Sequence, residues 1–216
     1  MKLSQLDIND NWIRLNQLAV AMIPDARDSQ AHTSMLASLE ADTVDDELKM
    51  TLVGFKRAPA AKGNHHAFEG GLIHHLLEMW GIYCSLSHTI LNHKTDPAFV
   101  NDERVFKAIL YHDLHKAHRT YKLLSEDPWQ CDYAKDPEED LMTTDIKSLW
   151  LLNKHEIQLD PQQLNALCWA EGGFSKIKPW DCSVLAKLCY LLDEMSGNVL
   201  ARMETRTYLS HRRVEP

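Results

Sequence analysis

Apolar positions recur at helical spacing along most of the chain. Leu15, Leu18, Ala19 and Met22 fall on one helical face, and Pro24 ends that segment. The spacing predicts a second helix over residues 32–52, with Met35, Leu36, Leu39, Leu48 and Leu52 as core contacts. Pro59 and Gly63 mark a loop over 56–63. A long helix follows over 68–91, with Gly70 and Gly71 near its start, and a loop around Pro97 separates it from a short apolar helix over 102–115. Residues 125–139 are polar, contain Pro128 and Pro137, and read as an exposed loop or lid. Helices resume over 142–154 and 161–170, the latter with Asp160 as N-cap and Pro161 in its first turn. Glu171-Gly172-Gly173 stops it, and a last helix spans 182–203. Strand signals are nearly absent, so the expected fold is all-α, a single helical bundle.

Composition narrows the class. The chain has 216 residues, 44% hydrophobic and 25% charged, enough for one domain with a core that needs no disulfide or metal staple. The net charge of −8 argues against coating duplex nucleic acid, but leaves room for a local basic pocket. The five cysteines are odd in number and form no CxxC pair, which points to a reducing, cytoplasmic setting. The first residues lack the apolar run of a signal peptide, and no stretch approaches a membrane span. A homo-oligomer is compatible with all of this.

The candidate chemistry lies in the 12 histidines, several on helices that read as buried. His75 shares a face with Leu72, Met79 and Ile82, while His112 and Asp113 lie one turn beyond Ile109. Asp193 shares a face with Ala186, Cys189 and Gly197, small residues that leave space for an ion. Imidazole and carboxylate donors together suit a divalent metal, and a buried aspartate needs such a partner.

The segments N-H-H-A-F-E-G-G-L-I-H-H from Asn64, I-L-Y-H-D-L-H-K from Ile109 and L-L-D-E-M-S-G from Leu191 carry a resemblance. Their order, His…His-Asp…Asp, resembles the HD-domain superfamily of metal-dependent phosphohydrolases. The first segment is similar to the H-H-x-x-x-G-G-L-x-x-H stretch of HD proteins related to bacterial 3′-5′ exoribonucleases. The resemblance covers about residues 60–200. It implies one helical domain over 56–205, with 1–55 as a helical extension packed on it and 206–216 as a tail.

It also implies a metal held by His75, His112, Asp113 and Asp193, with a water activated for attack on phosphorus. Asp113 would ligate the metal and orient that water. Family members often read H-D-x-G-K; here His115 replaces the glycine and Lys116 is kept as the natural phosphate contact. Arg119, Lys122, His66, His155 and Glu171 complete the expected substrate-binding set. Dinuclear members carry two more histidines between the His-Asp pair and the last aspartate. Here His155 is the available one and Glu171 stands where a histidine can occur, which favours one ion (Mn, Fe, Co, Ni, Zn or Mg) over two. His65 reads as a pocket or capping residue, His74 as an ordinary neighbour, and Trp129 as a loop anchor. The expected activity is hydrolysis of a nucleoside mono- or triphosphate. The rivals are a 3′-5′ exonuclease on single strands, disfavoured by the missing strand-rich module, an HD-type di-iron oxygenase, and a non-catalytic scaffold.

Overall fold

Ser4 and Asp7 open the first helix with a reciprocal cap: the Ser4 hydroxyl accepts from the Asp7 amide at 3.2 Å, and the Asp7 carboxylate accepts from the Ser4 amide at 2.9 Å. The computed structural model describes residues 3–61, 65–87, 100–134, 141–170 and 178–200. Among these, α1 (Gln5–Met22) buries Ile8, Trp12, Leu15 and Ala19, and α2 (Ala26–Leu39) buries His32, Met35, Leu36 and Leu39. Four more helices follow along the chain: α3 (Gly71–Leu86), α4 (Asp102–His112), α5 (Thr144–Lys154) and α6 (Pro161–Cys168). The last is α7 (Val184–Glu194), which runs into a π-helical segment at Met195–Leu200. Asp160 caps α6 as expected, accepting from the amides of Gln162 and Gln163. No helix among the described residues is long and apolar enough to cross a membrane.

The all-α expectation is corrected by a four-stranded antiparallel sheet, β1 (Thr43–Asp45), β2 (Met50–Leu52), β3 (Tyr121–Glu126) and β4 (Trp129–Tyr133), in that spatial order. Thr43 faces Leu52, Leu52 faces Lys122, and Tyr121 faces Tyr133. Two sequence expectations fall with it. The helix over 32–52 stops at Leu39, and the chain turns back through Lys49, whose φ is +51°, to form β1 and β2. The loop or lid over 125–139 is instead the β3–β4 hairpin as far as Tyr133, while 135–140 lie outside the described residues. The argument that strand-rich structure is missing falls too. Three-residue strands are too short for alternation to register, and the helical periodicity of 32–39 was extended over them.

The core runs between α1, α3, α4 and α7, with α2 docked on its side. A buried polar link fastens α2 to α4: the His32 ring meets the Tyr111 hydroxyl, and Lys107 Nζ reaches Asp28 and Glu103, each at 2.5 Å. On the opposite side, Arg57 binds Asp42, Glu69 and Glu126, which fastens the segment before α3 to the sheet. Gly70 and Gly71 make the entry to α3 possible. Gly70 has φ +75°, and a Cβ on Gly71 would lie 2.0 Å from the His66 carbonyl oxygen. That close approach holds the turn carrying His65 and His66 against the first turns of α3.

Candidate metal centre

Each ligand candidate comes from the end or the apolar face of a helix. His75 lies one turn into α3, on its buried face. His112 is the last residue of α4, and Asp113 is its C-cap, at φ −113° and ψ 12°; the chain then tightens into a 3-10 turn at Leu114–Ala117. The helix expected to continue to 115 therefore ends at the His-Asp pair, which turns Asp113 back beside His112. Asp193 lies in the last turn of α7.

The structure brings these four together. Donor atoms of His75, His112 and Asp113 lie mutually within 4.8 Å, and all three residues are buried. Asp193 joins from the other side, its Oδ1 3.1 Å from His75 Nε2. His112 Nε2 lies 3.5 Å from Asp113 Oδ2. Two donors bound about 2.0–2.2 Å from one ion at a right angle are about 3 Å apart, so these spacings fit a shared cation.

Proton accounting supports the same reading. His112 Nδ1 donates to the Ile109 carbonyl at 2.6 Å, because a carbonyl can only accept. The proton is therefore on Nδ1, and Nε2 carries a lone pair. That Nε2 is buried without a hydrogen bond, as is His75 Nε2 despite its nearness to Asp193. Burial pushes the His75 ring down to about 4, against the opposing pull of Asp193, so it is neutral at pH 7. Burial alone would raise the Asp113 carboxyl. The Lys116 ammonium, then His112, His115 and His75, more than offset it and hold it well below the usual range. Burial likewise opposes ionisation of Asp193, but contact with His75 and the nearness of His112 keep it low. The unbonded Nε2 atoms of His75 and His112 thus face carboxylates held in their ionised form. A cluster so arranged can bind a metal ion.

The other site candidates divide. Lys116 Nζ is 2.6 Å from Asp113 Oδ2, at the edge of the cluster. His66 is buried beside His75, its ring centroid 5.2 Å away, and His65 lies equally close to His75. Gly197 serves His65 rather than an ion, since a Cβ there would come 2.9 Å from His65 Nδ1. Arg119 turns to the sheet, where it binds Asp45 at 2.7 Å, and Lys122 sits in β3 opposite Asp132. His155 ends α5 and meets Ser38 Oγ at 3.2 Å, in a surface cleft lined also by Asp25, Asp28, Lys154 and Glu156. Glu171 lies outside the described residues. Trp129, expected as a loop anchor, instead opens strand β4 and packs against the core.

Three participants were not read from the sequence. His74 joins His66 and Glu78 in a second group whose donor atoms lie within 4.8 Å, and Ser196 links Glu78 to His75. The signal for His74 and Glu78 is a carboxylate inside the apolar run G-L-I-H-H-L-L-E-M-W, spaced one turn from both of its histidines; Ser196 has none. His115 was read only as a departure from a glycine. It is buried, its ring pushed by that burial to about 3, and its Nδ1 has no hydrogen bond.

No protein-family model, no curated protein and no solved structure matches this chain.

Proposed function

We propose that the chain is a metal-dependent phosphohydrolase acting on a nucleotide, a (deoxy)nucleoside mono- or triphosphate. The observation that carries the metal half of this reading is the pair of buried, unbonded Nε2 atoms of His75 and His112, set 3.1 Å from Asp193 Oδ1 and 3.5 Å from Asp113 Oδ2. The phosphate half is supported by the resemblance of His75, His112-Asp113 and Asp193 to the HD superfamily, and by Lys116 at the edge of the cluster.

His75, His112, Asp113 and Asp193 would hold one divalent ion of the Mn, Fe, Co, Ni, Zn or Mg class. Bound there, it lowers the pKa of a water and polarises a phosphoryl oxygen. The protein's own part would be to keep His75 neutral, to leave the His112 Nε2 unbonded, to present the ionised Asp113 carboxylate, and to supply the Lys116 cation for phosphate charge. Arg119 is engaged by Asp45, so Lys116 is the cation this reading relies on.

The test is a panel of nucleotides and short single-stranded oligonucleotides with Mn, Fe, Co, Ni, Zn and Mg, products resolved by chromatography. Mononucleotides should be hydrolysed, and His112→Ala or Asp113→Ala should lose both activity and metal while keeping the helical circular dichroism. Stepwise shortening of a single strand, with inert mononucleotides, would put the exonuclease in its place.

A further inference from the structure

His75 is approached at both ring nitrogens by one stretch of chain. Asp193, in the last turn of α7, stands 3.1 Å from Nε2; Ser196, in the π-helical segment, stands 2.9 Å from Nδ1. A π-helical turn widens the helix by a residue, and such turns are frequent at functional sites. Here the segment brings Ser196, which is fully buried, onto the far nitrogen of the ring that Asp193 approaches.

The direction of each hydrogen bond follows from chemistry. Ser196 Oγ lies 2.5 Å from Glu78 Oε2. Burial opposes ionisation of Glu78, yet contacts from His66 and Ser196 hold its carboxyl below the ordinary value. An ionised carboxylate only accepts, so the Ser196 proton points to Glu78, and the short distance suits a charge-assisted O–H···O⁻ bond. Ser196 Oγ is then free only to accept from His75, so Nδ1 carries the ring proton. The lone pair is left on Nε2, facing Asp193. Glu78 is anchored in turn by His66 Nε2 at 3.2 Å. Since Glu78 Oε2 takes both contacts, the group of His66, His74 and Glu78 is better filled by this relay than by a second ion.

We propose that Ser196 and Glu78 are positioning residues that lock His75 in its Nδ1–H tautomer and present Nε2 as a metal ligand. His112 obtains the same tautomer from the Ile109 carbonyl; His75 obtains it from a serine and a carboxylate carried by two different elements. Partners of this kind, behind a ligand, commonly change metal affinity by about 10–100-fold when removed. This inference rests on the metal reading above, but its first readout does not.

The test uses the full-length, metal-free protein. Nitrogen-15 chemical shifts of the imidazole rings should show His75 protonated on Nδ1, and Ser196→Ala should give a mixture of tautomers or the Nε2–H form. Cobalt(II) titration should then show affinity about 10–100-fold weaker in Ser196→Ala and in Glu78→Leu, each first shown to be folded by a cooperative thermal transition of the metal-free protein. Ser196→Thr, which keeps the hydroxyl, should restore affinity. Should Ser196→Thr fail to fold, the Glu78→Leu titration and the wild-type tautomer still decide. An Nε2–H tautomer in the wild type overturns the relay. So does an unchanged tautomer and affinity in both variants. If the wild type binds no cobalt, manganese or zinc, the metal reading fails, while the ring shifts still decide the relay.

Discussion

The ammonium of Lys116 lies 2.6 Å from Oδ2 of Asp113, the oxygen that also stands nearest to His112 Nε2. The contact spans one turn of the tightened 3-10 segment, which leaves the lysine directed at the site. The pair is mostly buried, and the lysine is the largest single influence favouring ionised Asp113. A cation so placed can lean toward a phosphoryl oxygen without leaving the cluster.

Lys116→Ala is therefore expected to retain the metal and lose turnover. Removing one preorganised charge donor costs about 2–4 kcal/mol in the transition state, or roughly tens to a thousandfold in rate. Metal content and turnover should be measured on the same preparation. Unchanged turnover with unchanged metal would reduce Lys116 to a structural partner of Asp113. Arg119→Ala is the comparison: its guanidinium is engaged by Asp45, so the rate should change little.

Two glycines of the same helix should respond with opposite signs. A Cβ on Gly71 would sit 2.0 Å from the His66 carbonyl oxygen, which also accepts from the Ala60 amide at 3.2 Å. Backbone on both sides leaves nothing to yield, so Gly71→Ala should cost about 2–4 kcal/mol and disturb His66. Gly81 meets nothing within 4 Å, and it lies inside α3. Gly81→Ala should stabilise by about 0.5–1 kcal/mol through helix propensity alone. Urea midpoints of the two variants check both. Similar shifts would mean that the α3 entry relaxes freely.

The candidate ligands are legible in the sequence because a histidine or aspartate on an apolar helical face stands out against its neighbours. His75, His112 and Asp113 stand out in this way as candidates, and the structure gathers them with Asp193. The sheet was harder to see. In β4, Trp129, Cys131 and Tyr133 alternate with Gln130 and Asp132, a period of two over five residues. Pro128 and Pro137 drew that stretch toward a loop instead. In β1 and β2 there was too little chain to carry any period. The relay through Ser196 and Glu78 depends on a π-helical segment, and a change of helical pitch over six residues leaves no mark in residue spacing. Arg119 illustrates the converse: basic residues beside a motif read as phosphate contacts, but whether a carboxylate on a distant strand takes them is a property of the fold.

The buried rings also set an acid limit on the metal-free protein. His75 is held at about 4 and His115 at about 3, in each case chiefly by burial, against an ordinary value of 6.5. The unfolded chain takes up these protons from about pH 6.5 downward, and the folded chain only near its lower values. The unfolded state therefore binds more protons in between, so stability rises with pH across that window. The contribution is fully present above pH 6.5 and is lost as pH falls toward 4 and 3. For His75 alone it is on the order of 3 kcal/mol. Below pH 4 the lowered carboxyls of Asp113 and Asp193 add a further loss, because they are ionised in the folded state and must be protonated. Guanidinium midpoints of the metal-free protein at pH 7.5, 6, 5 and 4 should fall steadily. A flat profile from 6.5 to 4.5 would mean that water reaches both rings. Added zinc or manganese should stabilise the protein more at pH 7 than at pH 4, where the His75 ring begins to take up a proton and proton and metal compete for the same Nε2.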